Sequence, residues 1–356
     1  MKRKYFTVGP TEPHPKLKKY LTDALKKDVA SMSHRGPEFS ALYKRAAVGI
    51  RAVLGAPASF HVFFLGSATE AMERIIENCV ERESLHFVNG AFSKRFYQTA
   101  VELKKHAQKI EAPEGRTFDF TSADITQEVE LIALTHSETS NGVQLDLDEA
   151  YELKRKYPQK LIALDIVSSA PYPKVDYRYV DAAFFSVQKG FGLPSGLGVL
   201  LVNDACIAKS LVLQKKGISV GTFHSFPSFL KSESKLQTPE TPNVLGIYLL
   251  ARVCEDYLKI GVGKIRKETE AKAKLLYSHF DKHPTLKPFV KDKTARTQAF
   301  IVIETPGGSG PVIQKLASKG FDVGAGYGQF ADRHIRIGNF PQNKLSDVRK
   351  ILRILR

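Results

Sequence analysis

Phe184-Phe185-Ser186-Val187-Gln188-Lys189, running on into Gly190-Phe191-Gly192-Leu193-Pro194-Ser195-Gly196-Leu197-Gly198, puts a lysine at the end of an apolar run and a glycine-rich loop after it. Burying an ammonium ion is expensive. An amine held at the end of a core strand therefore has a lowered pKa, and a neutral amine can attack an electrophilic carbon. The glycines suit close approach of the chain to a ligand. A lysine leaving the sheet for solvent fits the same residues, so the neighbouring segments have to decide.

Those segments repeat one pattern. His61–Leu65, Leu85–Val88, Leu131–Leu134, Leu161–Leu164, Ala182–Phe185 and Val199–Val202 are short apolar runs, and the stretches 69–80, 95–104 and 146–157 between some of them read as amphipathic helices. Near-continuous apolar strands alternating with helices predict an α/β domain whose mostly parallel sheet is covered on both faces. Ligands of such sheets bind at the carboxyl ends of the strands. From residue 243 onward the texture changes to two long helices, 244–259 and 262–283, then strands at 299–304 and 334–337, a helix near 312–319 and a last helix from Leu345. This predicts a smaller α+β domain, with the division at 15–250 against 251–356 joined by 1–14.

The other strand ends carry polar groups. Asp165 follows the run Leu161–Leu164, where it could hold a ring nitrogen protonated, or serve as a turn or capping residue. Gly66-Ser67-Ala68-Thr69 opens a helix, which makes an anion site, an ordinary N-cap, or both. The lysine and glycine spacing of a nucleotide P-loop is missing there. Asn89-Gly90-Ala91-Phe92 supplies an aromatic that could stack on a planar ligand or fill the core. Thr135-His136-Ser137-Glu138-Thr139-Ser140-Asn141-Gly142 is a polar loop. Hydroxyls, an aromatic, hydroxyls, an acid and a lysine at successive strand ends are more specific together than any one of them.

Composition removes several classes. The 356 residues are 43% hydrophobic and 25% charged, as in ordinary globular proteins, with no apolar run approaching a membrane span. Met1-Lys2-Arg3-Lys4-Tyr5 begins like a signal segment, but Gly9-Pro10 interrupts before any apolar region, so no leader is expected. Cys79, Cys206 and Cys254 have neither paired nor metal-like spacing, which fits a cytoplasmic protein without disulfides or a structural metal. The net charge of +16 is spread over most helices rather than gathered into a patch with aromatics, which speaks against nucleic acid and fits attraction of small anions. Gly324-Ala325-Gly326-Tyr327-Gly328 hints at a dinucleotide loop, but no helix follows to receive a pyrophosphate.

The chain resembles the class V aminotransferases of pyridoxal-phosphate (PLP) fold type I, especially their phosphoserine and alanine–glyoxylate branches. The likeness runs from Gly9-Pro10-Thr11 through Ser33-His34-Arg35 to Arg336-Ile337-Gly338. Its most specific part is Val180-Asp181 through Gln188-Lys189 to Gly196 and Gly198, with Val187 where the family has a small residue.

The resemblance implies that Lys189 carries PLP as a Schiff base and shuttles the proton, while Asp165 pairs with the pyridine nitrogen. It implies that Phe92 stacks on the ring, where the family often has tryptophan, and that Thr139 bonds the phenolic oxygen. Ser67, Ala68, Thr69 and Gln188 would hold the phosphate, completed by Thr241 from the partner of an obligate homodimer. Arg336 would grip the substrate α-carboxylate, and His34 with Arg35 a substrate phosphate. The late His-Arg pair of phosphoserine enzymes is absent, since Gln329-Phe330 stand there, with Arg333-His334 shifted and reversed. Phosphoserine with 2-oxoglutarate is the expected pair, ahead of alanine or serine with glyoxylate. A cysteine-desulfurase chemistry needs a thiol on an active-site loop, which none of the three cysteines offers.

Overall fold

The computed structural model describes residues 3–356, so Met1 and Lys2 of the basic N-terminal run and of the smaller domain lie outside the described residues. The chain begins with β1 (Lys4–Phe6), α1 (Leu17–Lys26), α2 (Pro37–Leu54), β2 (His61–Leu65), α3 (Ala68–Cys79), β3 (Glu83–Val88), α4 (Ala91–Glu102), β4 (His106–Glu111) and β5 (Val129–Thr135). It continues with α5 (Leu147–Lys156), β6 (Leu161–Asp165), β7 (Ala182–Ser186), β8 (Gly198–Val202), α6 (Asp204–Lys215), α7 (Phe226–Glu233), α8 (Val244–Ile260) and α9 (Val262–Lys282). Last come β9 (Lys287–Pro288), β10 (Phe300–Glu304), α10 (Ser309–Ala317), β11 (Phe321–Ala325), β12 (His334–Gly338) and α11 (Leu345–Ile354).

Seven strands form one sheet in the order β2-β8-β7-β6-β5-β3-β4. All neighbours are parallel except β8, which runs antiparallel to both β2 and β7. The apolar runs are continuous because side chains alternate between two cores. Phe64, Phe185 and Leu201 face one core, shared with α2 and α8, while Phe63, Phe184 and Leu200 face the other, shared with α3. The fold is therefore the mixed α/β, mostly parallel architecture expected of PLP fold type I.

A second sheet has the order β1-β11-β12-β10-β9, with β1 parallel to β11 and the rest antiparallel. Helices α9 and α11 cover it through Leu276, Phe280, Val348 and Ile351. Its first strand comes from the N-terminus, and the chain leaves β1 directly toward the end of β7. No helix among the described residues is long and apolar enough to cross a membrane.

Candidate active site

Carboxyl ends of the parallel strands meet at a cavity of about 140 Å³. Ser67, Ala68 and Thr69 line it from the start of α3, Phe92 from the start of α4, and Thr139 from the loop after β5. Asp165 at the end of β6 and Gln188 and Lys189 beyond β7 complete the wall. Eight of the twelve site residues expected from sequence are thus brought together.

The backbone around Lys189 is pinned on several sides. Thr11 donates through Oγ1 to the Lys189 carbonyl at 2.7 Å, and Tyr257 Oη and Gln342 Nε2 donate to the Gly190 carbonyl at 2.6 and 2.7 Å. Lys189 Nζ donates to the Val8 carbonyl at 2.5 Å. Gly9 is required beside it, because a Cβ there would lie 2.6 Å from both Cε and Nζ. Burial, helped by the Arg336 charge, lowers the Lys189 pKa to about 8.

Asp165 is 4% exposed, and burial raises its pKa to about 7 against the pull of one hydrogen bond, from the Val167 N–H to Oδ1 at 2.8 Å. Its second oxygen has no protein donor among the described residues. Across the cavity, Ser67 caps α3 by accepting from the Glu70 N–H at 3.1 Å, and the Ala68 N–H donates to Ser186 Oγ at 3.1 Å. Strand β8 packs tightly there, since a Cβ on Gly198 would lie 2.4 Å from the Ser67 carbonyl carbon. Gln188 Oε1 is buried in this lining without a hydrogen-bond partner among the described residues.

Glu138 is the functional residue that sequence reasoning missed. It is fully buried and accepts from the Phe92 and Ser93 N–H groups at 3.2 and 2.9 Å, from Ser93 Oγ at 2.9 Å and from Ser140 Oγ at 2.7 Å. A carboxylate thus caps α4 from another loop, where the helix dipole favours it, and fixes the helix that carries Phe92. Gly90 makes room, because a Cβ there would lie 2.4 Å from Glu138 Cγ. An acid set among hydroxyls in a strand-end loop was the only available signal.

Arg336 stands at the rim on β12. It donates from Nε to the Ala325 carbonyl at 2.8 Å and from Nη1 to the Thr139 carbonyl at 3.2 Å, and no carboxylate pairs with it among the described residues. Thr139 Oγ1 meets Ser168 Oγ.

The remaining three residues lie elsewhere. Arg35 is exposed, with its fork taken by Gln237 Oε1 at 3.1 Å and the Thr238 and Pro239 carbonyls at 2.8 Å each. His34 sits beside it, its pKa lowered by partial burial and the Arg35 charge. Thr241, exposed on the same loop, lines a different cavity of about 240 Å³ with Gly66, Glu70 and His224. The reversed late pair forms no clamp: His334 is buried and stacks on Phe330 at 4.6 Å, and Arg333 lies over the same ring. All three cysteines are buried, and none lines the Lys189 cavity.

A weakly basic amine, an acid with a free oxygen, a half-buried aromatic and a helix N-terminus therefore surround one small space. The set suits a planar anion with an electrophilic carbon and a basic ring nitrogen.

Residues 10–329 match the family described as Aminotransferase class-V. The crystal structure of a phosphoserine aminotransferase from Cytophaga hutchinsonii is 42% identical and superposes with a TM-score of 0.97, covering 99% of this chain and 98% of that one. A phosphoserine aminotransferase of Rhodococcus opacus is 26% identical over 97% of this chain and 92% of its own length. The alanine–glyoxylate aminotransferase of a Nostoc species shares the fold at 23% identity and TM-score 0.83, over 100% of this chain and 96% of that one.

Proposed function

We propose, from the premise that this chain belongs to the class V aminotransferases and is a PLP-dependent transaminase, that it moves the amino group of phosphoserine to 2-oxoglutarate. The observation that carries the chemistry is the burial of Lys189 and Asp165 at the ends of strands facing one cavity. The choice of phosphoserine is supported by the 42% identical Cytophaga hutchinsonii enzyme.

The residues present fit PLP. Lys189 would hold it through Nζ, Asp165 would take the ring N–H on its free oxygen, and Phe92 would stack on the ring. Thr139 would bond the phenolic oxygen. Ser67, Ala68 and Thr69 would receive the phosphate at the helix start, and Gln188, whose buried Oε1 lacks a partner, would turn its amide N–H toward it. Bound PLP supplies an electrophilic carbon and a ring that spreads negative charge. The protein does the rest. Arg336 would orient the substrate by its α-carboxylate, and the released Lys189 amine would carry the proton from Cα to the cofactor's C4′ carbon in the first half-reaction and in the reverse direction in the second. In this reading residues 15–250 form the PLP-binding domain and 251–356, with 1–14, the smaller one that carries Arg336. Pairing of β1 with β11 supports grouping the chain ends.

We further propose a homodimer with shared sites, in the cytoplasm. Thr241, His34 and Arg35 support the sharing, since they gather around one loop, residues 237–241, away from their own chain's cavity. Three unpaired cysteines support the compartment. Thr241→Ala is expected to weaken PLP retention roughly tenfold, the effect of losing one hydrogen bond to a charged group. Dialysis against phosphate with absorbance readings measures it. A fully active monomer in sedimentation would remove the shared site.

Alanine or serine with glyoxylate is a second reading, and one observation favours it: the Arg35 fork already has three protein acceptors. Rates for phosphoserine and serine decide. On the first reading kcat/KM favours phosphoserine by about 30-fold or more, and Arg35→Ala erases most of that preference. A wild type that treats both donors alike moves the assignment to the second.

A further inference from the structure

The run Gly324-Ala325-Gly326-Tyr327-Gly328 has no part in the transamination reading, yet it places one aromatic ring at the edge of the site. The Tyr327 ring lies 5.3 Å from the Phe92 ring, and the Arg336 guanidinium carbon lies 5.4 Å from the Tyr327 centroid. Phe92 is itself 5.9 Å from Lys189 Nζ. Tyr327 therefore joins the ring platform beside Lys189 to the guanidinium that the reading gives to the substrate carboxylate.

The surrounding backbone holds it there. The Gly326 N–H donates to the His334 carbonyl at 2.6 Å, and a Cβ on Gly326 would lie 2.0 Å from the Phe330 carbonyl oxygen. Gly328 has a φ of +53° and open space where a Cβ would go. The chain is thus fixed on one side of Tyr327 and unobstructed on the other, and the side chain stays 41% exposed. A ring whose only purpose was core packing would be more deeply buried.

Arg336 gives the position its meaning. Two carbonyls hold Nε and Nη1, and the Tyr327 ring covers a face of the group, so the outer edge is what remains for a ligand. An edge is the geometry that binds a carboxylate with two parallel hydrogen bonds. With Phe92 taken by the PLP ring, a donor with its carboxylate at that edge and its nitrogen near Lys189 would have Tyr327 as the aromatic neighbour of its side chain.

We propose that Tyr327 is a specificity-determining residue, which confines the α-carboxylate to the edge of Arg336 and excludes amino donors branched at Cβ. The proposal rests on the assignment of Arg336 to the substrate carboxylate. Alanine, serine and phosphoserine carry one substituent on Cβ at most and pass; valine and isoleucine carry two and are rejected by a wall they overlap.

Three variants test it. Tyr327→Ala is expected to raise KM for phosphoserine or alanine about tenfold with kcat nearly unchanged, and to raise kcat/KM for valine relative to alanine by about tenfold. Tyr327→Phe keeps the ring and should behave as wild type on both measures. The chain has no tryptophan, so Tyr327→Trp installs a single fluorophore at the fork. Its emission in the full-length PLP-free protein should shift on titration with 2-oxoglutarate, and not when Arg336→Ala is added. If Arg336→Ala raises KM while Tyr327→Ala changes neither KM nor the valine-to-alanine ratio, the proposal is overturned and the transaminase reading stands. If Arg336→Ala leaves KM unaltered, the carboxylate assignment fails and the proposal falls with it.

Discussion

Lys189→Ala is expected to lower transamination by about 10⁴-fold or more, the upper range for loss of a positioned acid–base group, without unfolding the protein. The physical basis is the state of the amine. With a pKa of about 8, roughly a quarter of the amine is neutral at pH 7.5, against about one part in a thousand for an ordinary lysine. A lowered pKa does not by itself mark the residue, because Lys272 is also buried and also brought to about 8. Lys272 Nζ, however, donates to the Phe340 and Asn343 carbonyls at 2.8 Å each and lines a different cavity, which Ser67, Phe92 and Asp165 do not line. Geometry separates the two. Borohydride treatment followed by peptide mapping should place the reduced label on Lys189 in the wild type and nowhere in the variant. A label on Lys272, or a variant keeping more than about 1% of the rate, would falsify the assignment.

Central strands were legible because both their faces are buried, which removes the alternation and leaves runs such as Ala182–Phe185 and Val199–Val202. Their order was not legible. The antiparallel insertion of β8 between β2 and β7 depends on which runs pair, and no local residue records that. Strand β4 was missed for the opposite reason. His106–Glu111 is an edge strand with one partner, and its exposed, charged residues are what protects an edge from further pairing. Strand β1 has three residues and a partner at the far end of the chain.

The candidate site divides the same way. Residues at strand ends could be found because the rule for α/β sheets says where to look. Glu138 could not be valued from sequence, since its five donors come from two segments that meet only in the fold. Arg35 shows the converse. Its fork was visible, but the acceptors that occupy it, at residues 237–239, lie far along the chain. Tyr327 was read within a glycine pattern, and its meaning comes from contacts across β11 and β12 and from α4.

Asp165→Asn should have two effects of opposite sign. Transamination is expected to fall roughly 10³-fold, the scale of losing one preorganised electrostatic partner, because an amide cannot keep the ring nitrogen protonated. The PLP-free protein, in contrast, should become more stable at neutral pH. Burial is the main cause that raises the Asp165 pKa to about 7, and the Glu138 charge adds to it. The folded state therefore binds this proton more tightly than the unfolded chain, whose aspartate titrates near 4. Linkage then requires stability to fall as pH rises from about 4 to about 7, where the carboxylate ionises without a cationic partner on its free oxygen. Asparagine removes that term, so the melting temperature of the PLP-free variant should vary less between pH 5 and 7 and exceed wild type at pH 7.5. Adding PLP should reverse the ranking, since a ring N–H offsets the buried charge only where a carboxylate receives it. Thermal melts of both proteins, with and without PLP, measure each part. Parallel pH curves for the two PLP-free proteins would mean that Asp165 is not the buried acid this site requires, even if the variant were inactive.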